Sequence, residues 1–190
     1  MGYRPFLDVD LETITPSLNQ VSATSLSSLG RYISGAGISP ALTTADNVLA
    51  IISIPAGALG PLADQLENFE IFAQGKFGAN ANAKRLKIIA NPTAPVIGVA
   101  VSGGTTILDT GVVNTNGGGF CLDAALLRAS AGTLLGVNYG SIAGAVHQGT
   151  TAPVSVSIAD NAPFTIVVTG TAATALSDIV LNIFEVDVMS

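Results

Sequence analysis

Residues 69–77 read FEIFAQGKF, and their polarity alternates: Phe69, Ile71, Ala73 and Phe77 are apolar, whereas Glu70, Gln74 and Lys76 are polar. Successive side chains of an extended chain point to opposite sides, so this alternation describes a strand with one buried and one solvated face. Working outward, the same strand-and-turn texture recurs. Residues 48–54 are rich in branched side chains and stop at Pro55, which cannot donate to a central ladder. Further strands are expected over 85–90, 95–101, 105–113, 120–128, 134–147, 154–158, 164–169 and 179–188. Between them, Ser102-Gly103-Gly104 and Asn116-Gly117-Gly118-Gly119 supply residues that tolerate positive φ where the chain must reverse. Residues 61–67 alone look like a helical turn. Eight or more strands at turn-punctuated intervals specify an all-β fold, a sandwich or barrel.

The segment before this region differs. Residues 1–45 carry Pro5, Pro16 and Pro40, a Ser/Thr-rich run over 22–28, and Gly30, Gly35 and Gly37, so regular structure is expected to be scarce. Yet Phe6, Leu7, Leu11, Ile14, Leu18, Val21, Leu26 and Leu29 are too apolar for a free tail. The division expected is an irregular N-terminal arm over 1–45 and a β-sandwich domain over 46–190, the arm packing on a partner surface through Tyr3, Arg4, Phe6 and Leu7.

Composition narrows the function. Of 190 residues, 48% are hydrophobic and only 11% charged, against roughly a quarter charged in an ordinary soluble domain. So few charges cannot coat a lone monomer, and burial of neutral surface against other copies in a homo-oligomer is expected. The net charge of −6 leaves no broad basic footprint for nucleic acid. Four of the seven basic residues cluster as Lys76, Lys84, Arg85 and Lys87, which reads as a solvated strand end and its loop. Residues 88–108 are charge-free and long enough to span a bilayer, but Asn91, Pro92, Pro95, Gly98, Gly103 and Gly104 would break a lipid-exposed helix. Asp8, Asp10 and Glu12 sit where a signal peptide would be apolar, so synthesis in a cytoplasm is expected.

Chemistry has few candidates. His147 is the one histidine and Cys121 the one cysteine. Cys121, between Phe120 and Leu122, reads as buried and inert; His147 reads as a strand-end residue facing water. One Cys and one His do not make a zinc cage, and Asp8, Asp10 and Glu12 match no EF-hand spacing. The glycine clusters precede neither a Lys-Ser/Thr pair nor a helix pattern, which leaves them as turns. No catalytic residue, cofactor or metal is expected, and the chain is not read as an enzyme.

The stretches FEIFAQGKFGANANAKRLKI (69–88) and TTILDTGVVNTNGGGFCLDAALLRAS (105–130) together resemble a pattern of jelly-roll-like proteins of tailed bacteriophages, the capsid decoration or cement proteins. The matching positions are Phe69, Gly75, Phe77, Asn80, Asn82, residues 84–87, residues 108–111, residues 116–118, Phe120, Asp123 and Arg128. The closing PFTIVVTGTA (163–172) and DIVLNIFEVDV (178–188) agree in texture. This chain departs from the pattern by inserting Asn91-Pro92-Thr93-Ala94-Pro95 ahead of Val96, and by an apolar strand after Arg128. The resemblance implies a jelly-roll-like β-sandwich in the virion, bound to the major capsid protein on the capsid surface, often as a trimer. A receptor-binding or tail-fibre tip domain of similar fold is the alternative, although no long repetitive shaft segment is present.

Overall fold

In the computed structural model, which describes residues 27–38, 45–58, 68–142, 145–148, 153–172 and 178–189, the alternating segments become eleven strands. They are β1 (Ser27–Ile38), β2 (Asn47–Ile54), β3 (Asn68–Phe77), β4 (Lys84–Ala90), β5 (Thr105–Asp109), β6 (Gly119–Ser130), β7 (Thr133–Ile142), β8 (Ala145–Gln148), β9 (Val154–Ser157), β10 (Phe164–Ala172) and β11 (Ile179–Met189). One sheet runs β1-β11-β3-β6-β7-β8, with β9 also paired to β7, and the other runs β2-β10-β4-β5. We call them the long and the short sheet. Every named pairing is antiparallel.

The pairings are nested. First pairs with last, β1 with β11, and second with second-last, β2 with β10; inside these, β3 pairs with β6 and β4 with β5. A long antiparallel ribbon rolled up on itself produces this order, and it makes the sandwich a jelly roll. Strands β7, β8 and β9 are an addition between β6 and β10 that widens the long sheet. Residues 134–147, read as one strand, are a hairpin of β7 and β8, and β9 continues the sheet beside the other end of β7.

The inward faces pack as alternation requires. Phe69, Ile71 and Ala73 of β3, Leu122 and Leu126 of β6, and Phe184 and Val186 of β11 meet Ile52 and Ile54 of β2, Leu86 and Ile88 of β4, and Ile166 and Val168 of β10. Phe69 contacts Phe164 edge to face, with ring centroids 5.6 Å apart. Each such side chain contributes about 1.5–3 kcal/mol on full burial. At one end Phe77 and Phe120 pack at 5.1 Å, and Phe120 lies over Gly75, where a Cβ would come 2.5 Å from its ring. Gly75 is therefore a packing requirement rather than a turn.

Two segments differ from expectation. Residues 27–38, inside the span read as an irregular arm, form β1 at the edge of the long sheet. The pairing with β11 slips between Ile33/Ile183 and Ile38/Leu181, so Gly35 and Gly37, which depress strand propensity, fall in an irregular stretch the sheet tolerates. Residues 95–101 are not a strand. They begin at Pro95, which like Pro92 lacks a donor, pass Gly98 at φ 80°, and form no ladder with β2, pairing with it through isolated bridges. Residues 1–26 and the helical turn expected over 61–67 lie outside the described residues. Among the described residues no helix is long and apolar enough to cross a membrane.

Candidate interaction surface

Of the residues singled out by the sequence, Tyr3, Arg4, Phe6 and Leu7 lie outside the described residues. The residues of the phage-protein pattern are all placed, and most of them are engaged in holding the fold; Asn116 is exposed and Asp123 faces outward from β6. Lys84 is 1% exposed. Its Nζ donates to Asn80 O at 2.8 Å, Asn80 Oδ1 at 2.9 Å, Asn82 O at 3.0 Å and Thr115 O at 3.1 Å. Asp178, also 1% exposed, accepts from the amides of Asn80 and Asn82. Burying two charges without partners would be prohibitive, so the loop 78–83 is folded around them.

Arg85 and Lys87 lie on the outer side of β4, half-buried, and each is paired to an acid, which corrects their reading as solvated residues, whereas Lys76 on β3 is exposed as expected. Arg85 Nε donates to Asp109 Oδ1 at 2.7 Å, and Asp109 also accepts from Gly111 N at 2.9 Å, which closes the turn after β5. Lys87 pairs with Asp46, to which Thr171 Oγ1 donates at 2.6 Å. Burial raises the Asp46 pKa, but the hydrogen bonds from Lys87 and Thr171 and the charges of Lys87 and Arg85 outweigh it, leaving the group below the ordinary carboxylate value. Asp109 is lowered in the same way, burial being overcome by Arg85 and the Gly111 N–H. At the far end Arg128, 3.5 Å from Asp160, anchors the β6–β7 turn, where Asp160 also accepts from Gly132 N.

Cys121 is half-buried, not core. Its neighbours Phe120 and Leu122 point inward, so the residue between them must point out. There its thiol lies 3.7 Å from Asp123 Oδ2. Burial raises its pKa, and the Asp123 charge and hydrogen bond raise it further, so the thiol stays protonated and a weak nucleophile. His147 lies on β8, in register with Gly140. Cys121 lies on β6, two strands away, paired with Ser141 of β7. Among the described residues no three His, Cys, Asp or Glu side chains group as metal ligands.

What the structure adds is a contrast between the two outer faces. On the long sheet, Glu70, Phe72, Asp123, Ala125, Val137 and Asp187 line a shallow groove of about 420 Å³. Glu185 stands in register beside Phe72. On the short sheet, Val48, Ile89 and Val167 form a second small apolar cluster, with Ile51 and Val101 packed against it. Val101 belongs to the loop 91–104, which carries no charged residue. Next to Val101 the loop leaves Val96, Ile97 and Val99 exposed, at 57%, 49% and 53%. Asn91 and Ala94 sit at φ 53° and 39°, the latter a conformation an alanine rarely adopts. The loop is nonetheless fixed: Thr93 N donates to Ser102 O at 2.8 Å, Gly98 N to Val48 O at 2.8 Å, Val48 N to Val99 O at 2.9 Å and Val101 N to Asp46 O at 2.8 Å. Sequence reasoning took this segment for a strand. A charge-free run with two prolines and three glycines was the available signal that it was a surface loop.

No family model and no curated protein matches the chain. Among solved structures it is similar to the CBM2 module of the evolved Dit of Lactobacillus casei BL23 phage J-1, at 11% identity, over 85% of this chain and 80% of that one, with a TM-score of 0.35. A score that low is no ground for assigning fold or role.

Proposed function

We propose that the chain is a structural, non-catalytic virion protein of a tailed phage, an oligomeric decoration protein that binds the major capsid protein of the assembled shell. The observation that carries this reading is the fate of the pattern residues. Gly75, Phe77, Asn80, Asn82, Lys84, Arg85, Asp109, Gly111, Phe120 and Arg128 are spent on packing, turn closure and ion pairs. What this chain shares with the decoration proteins is thus a rigid jelly roll, and its work would be adhesion.

The physics of such a role is linkage. A protein that binds the assembled shell and not its separated subunits stabilises the shell, by about 2.7 kcal/mol per site at a free concentration a hundred times its Kd. Tyr3, Arg4, Phe6 and Leu7 of the arm are the proposed capsid contacts. The test is co-sedimentation with undecorated capsids, followed by heating of the particles. Binding in hundreds of copies per particle, with a raised disruption temperature, is the expected result. A few tens of copies located at the tail of whole virions would instead establish the receptor-binding or fibre-tip role, and absence of binding to the capsids would reject the decoration role.

A further inference from the structure

We infer that the outer side of the short sheet, centred on Val96, Ile97 and Val99, is the surface through which copies of this chain associate. The apolar side chains there are about half exposed, while the backbone beneath them is held by four hydrogen bonds to β2, to the residue before it and within the loop. Covering a surface already fixed in place costs little ordering entropy, which favours association. Around the three side chains, Thr93, Ala94, Ala100 and Ser102 are exposed and uncharged. They supply the neutral rim that a standard interface, of about 800 Å² per partner, needs beyond its apolar centre.

Charge decides the occupant. On this side of the molecule Asp46 and Asp109 are matched by Lys87 and Arg85, two against two. An approaching second copy meets no net charge. The opposite outer face is different: Glu70, Asp123, Glu185 and Asp187 stand against Lys76 and Arg31, the latter in register with Glu185, four acids to two bases among the described residues. Pressing two such faces together would set like charges side by side, which disfavours the contact. Self-association is therefore directed to the short sheet, and the acidic face is left to solvent or to a different partner. This deepens the oligomeric part of the function proposed above, but it makes no use of a capsid.

The experiment is size exclusion with light scattering on the purified full chain at micromolar concentrations. The wild type should run as an oligomer. The combined variant Val96→Ser, Ile97→Ser, Val99→Ser should weaken association at least tenfold, whereas Glu70→Gln with Asp123→Asn should not weaken it. Val96→Arg is the second variant, at a position 57% exposed and so not needed by the fold; it should dissociate the oligomer even if the triple variant unfolds. A monomeric wild type, or an oligomer unmoved by both loop variants, would overturn the inference. Capsid binding by a chain that is monomeric in solution would overturn it while leaving the decoration role standing.

Discussion

Replacing Lys84 by Met tests whether the polar knot at the sandwich end holds the fold together. Methionine keeps most of the volume and the unbranched stem but removes the ammonium. Three N–H donors serve four acceptors in the native protein, at 2.8–3.1 Å, so one hydrogen is shared. Without them the carbonyls of Asn80, Asn82 and Thr115 lose a donor in a site only 1% open to solvent at Lys84. A buried acceptor left unpaired costs about 1–3 kcal/mol, and breaking a buried charged network by removing one member costs about 3–5 kcal/mol. The larger figure already contains part of the smaller, so the expected loss is about 3–5 kcal/mol. Asn80 would also be freed, and with it one of the two amides that Asp178 accepts from. Urea unfolding followed by far-ultraviolet circular dichroism gives the measurement, the chain having no Trp to report by fluorescence. The midpoint should fall with an unchanged slope. A loss under about 1 kcal/mol would refute the argument, because it would mean that the ammonium exchanges its partners for water at no cost.

Two further outcomes follow from the same geometry. Gly75→Ala should cost at least about 2 kcal/mol, because the new Cβ would lie 2.1 Å from Val180 O, a backbone atom of β11 that cannot swing aside. Gly119→Ala, whose new Cβ would come no nearer than 3.5 Å to Gly75 O, is the near-neutral comparison in the same thermal melt. Acid should destabilise the protein in part through Asp46 and Asp109. Both are lowered from the ordinary value of 3.8, so their contribution is fully present above about pH 4. It is lost as pH falls through their depressed folded values. Urea midpoints measured from pH 7 down to pH 3 should show the fall, and Asp46→Asn with Asp109→Asn should flatten it.

Alternation is a local signal, and the elements it marks were legible for that reason. The strands β2, β3, β4, β6, β9 and β11 lie within two residues of the spans expected from polarity and turn residues. β1 was missed because its glycines depress local propensity while its partner, β11, is some 150 residues away in sequence. Residues 95–101 were misread because branched residues favour a strand locally, whereas Pro92, Pro95 and Gly98 set the backbone. Cys121 is the instructive error. Apolar neighbours in sequence suggested a core position, but in a strand the neighbours of an inward residue point outward, and the inward set Phe120, Leu122, Ala124 and Leu126 already placed Cys121 outside. The pairing of Arg85 and Lys87 could not be read from sequence, since their acids, Asp109 and Asp46, come from either side of them in the chain and meet them only across the sheet.

Surface function was the least legible property, and the physical reason lies in which residues the two parts of the chain share with the phage-protein pattern. The shared residues close turns, bury a lysine and seat one aromatic ring over a glycine. Such roles demand particular residues at particular positions, and so they leave a readable pattern. Adhesion makes no such demand: any neutral, shape-matched apolar group serves, and the pattern it leaves is compositional. The loop 91–104 opens with residues 91–95, by which the chain departs from the pattern, lacks charge, and holds Val96, Ile97 and Val99 exposed on a fixed backbone. If that loop were only a tolerated connection, its apolar side chains would be free to become polar at no cost to the fold, since none of the three belongs to either buried cluster. Three apolar side chains exposed on a fixed backbone beside Val101, which does pack inward, are what the proposed interaction surface requires and what folding alone does not.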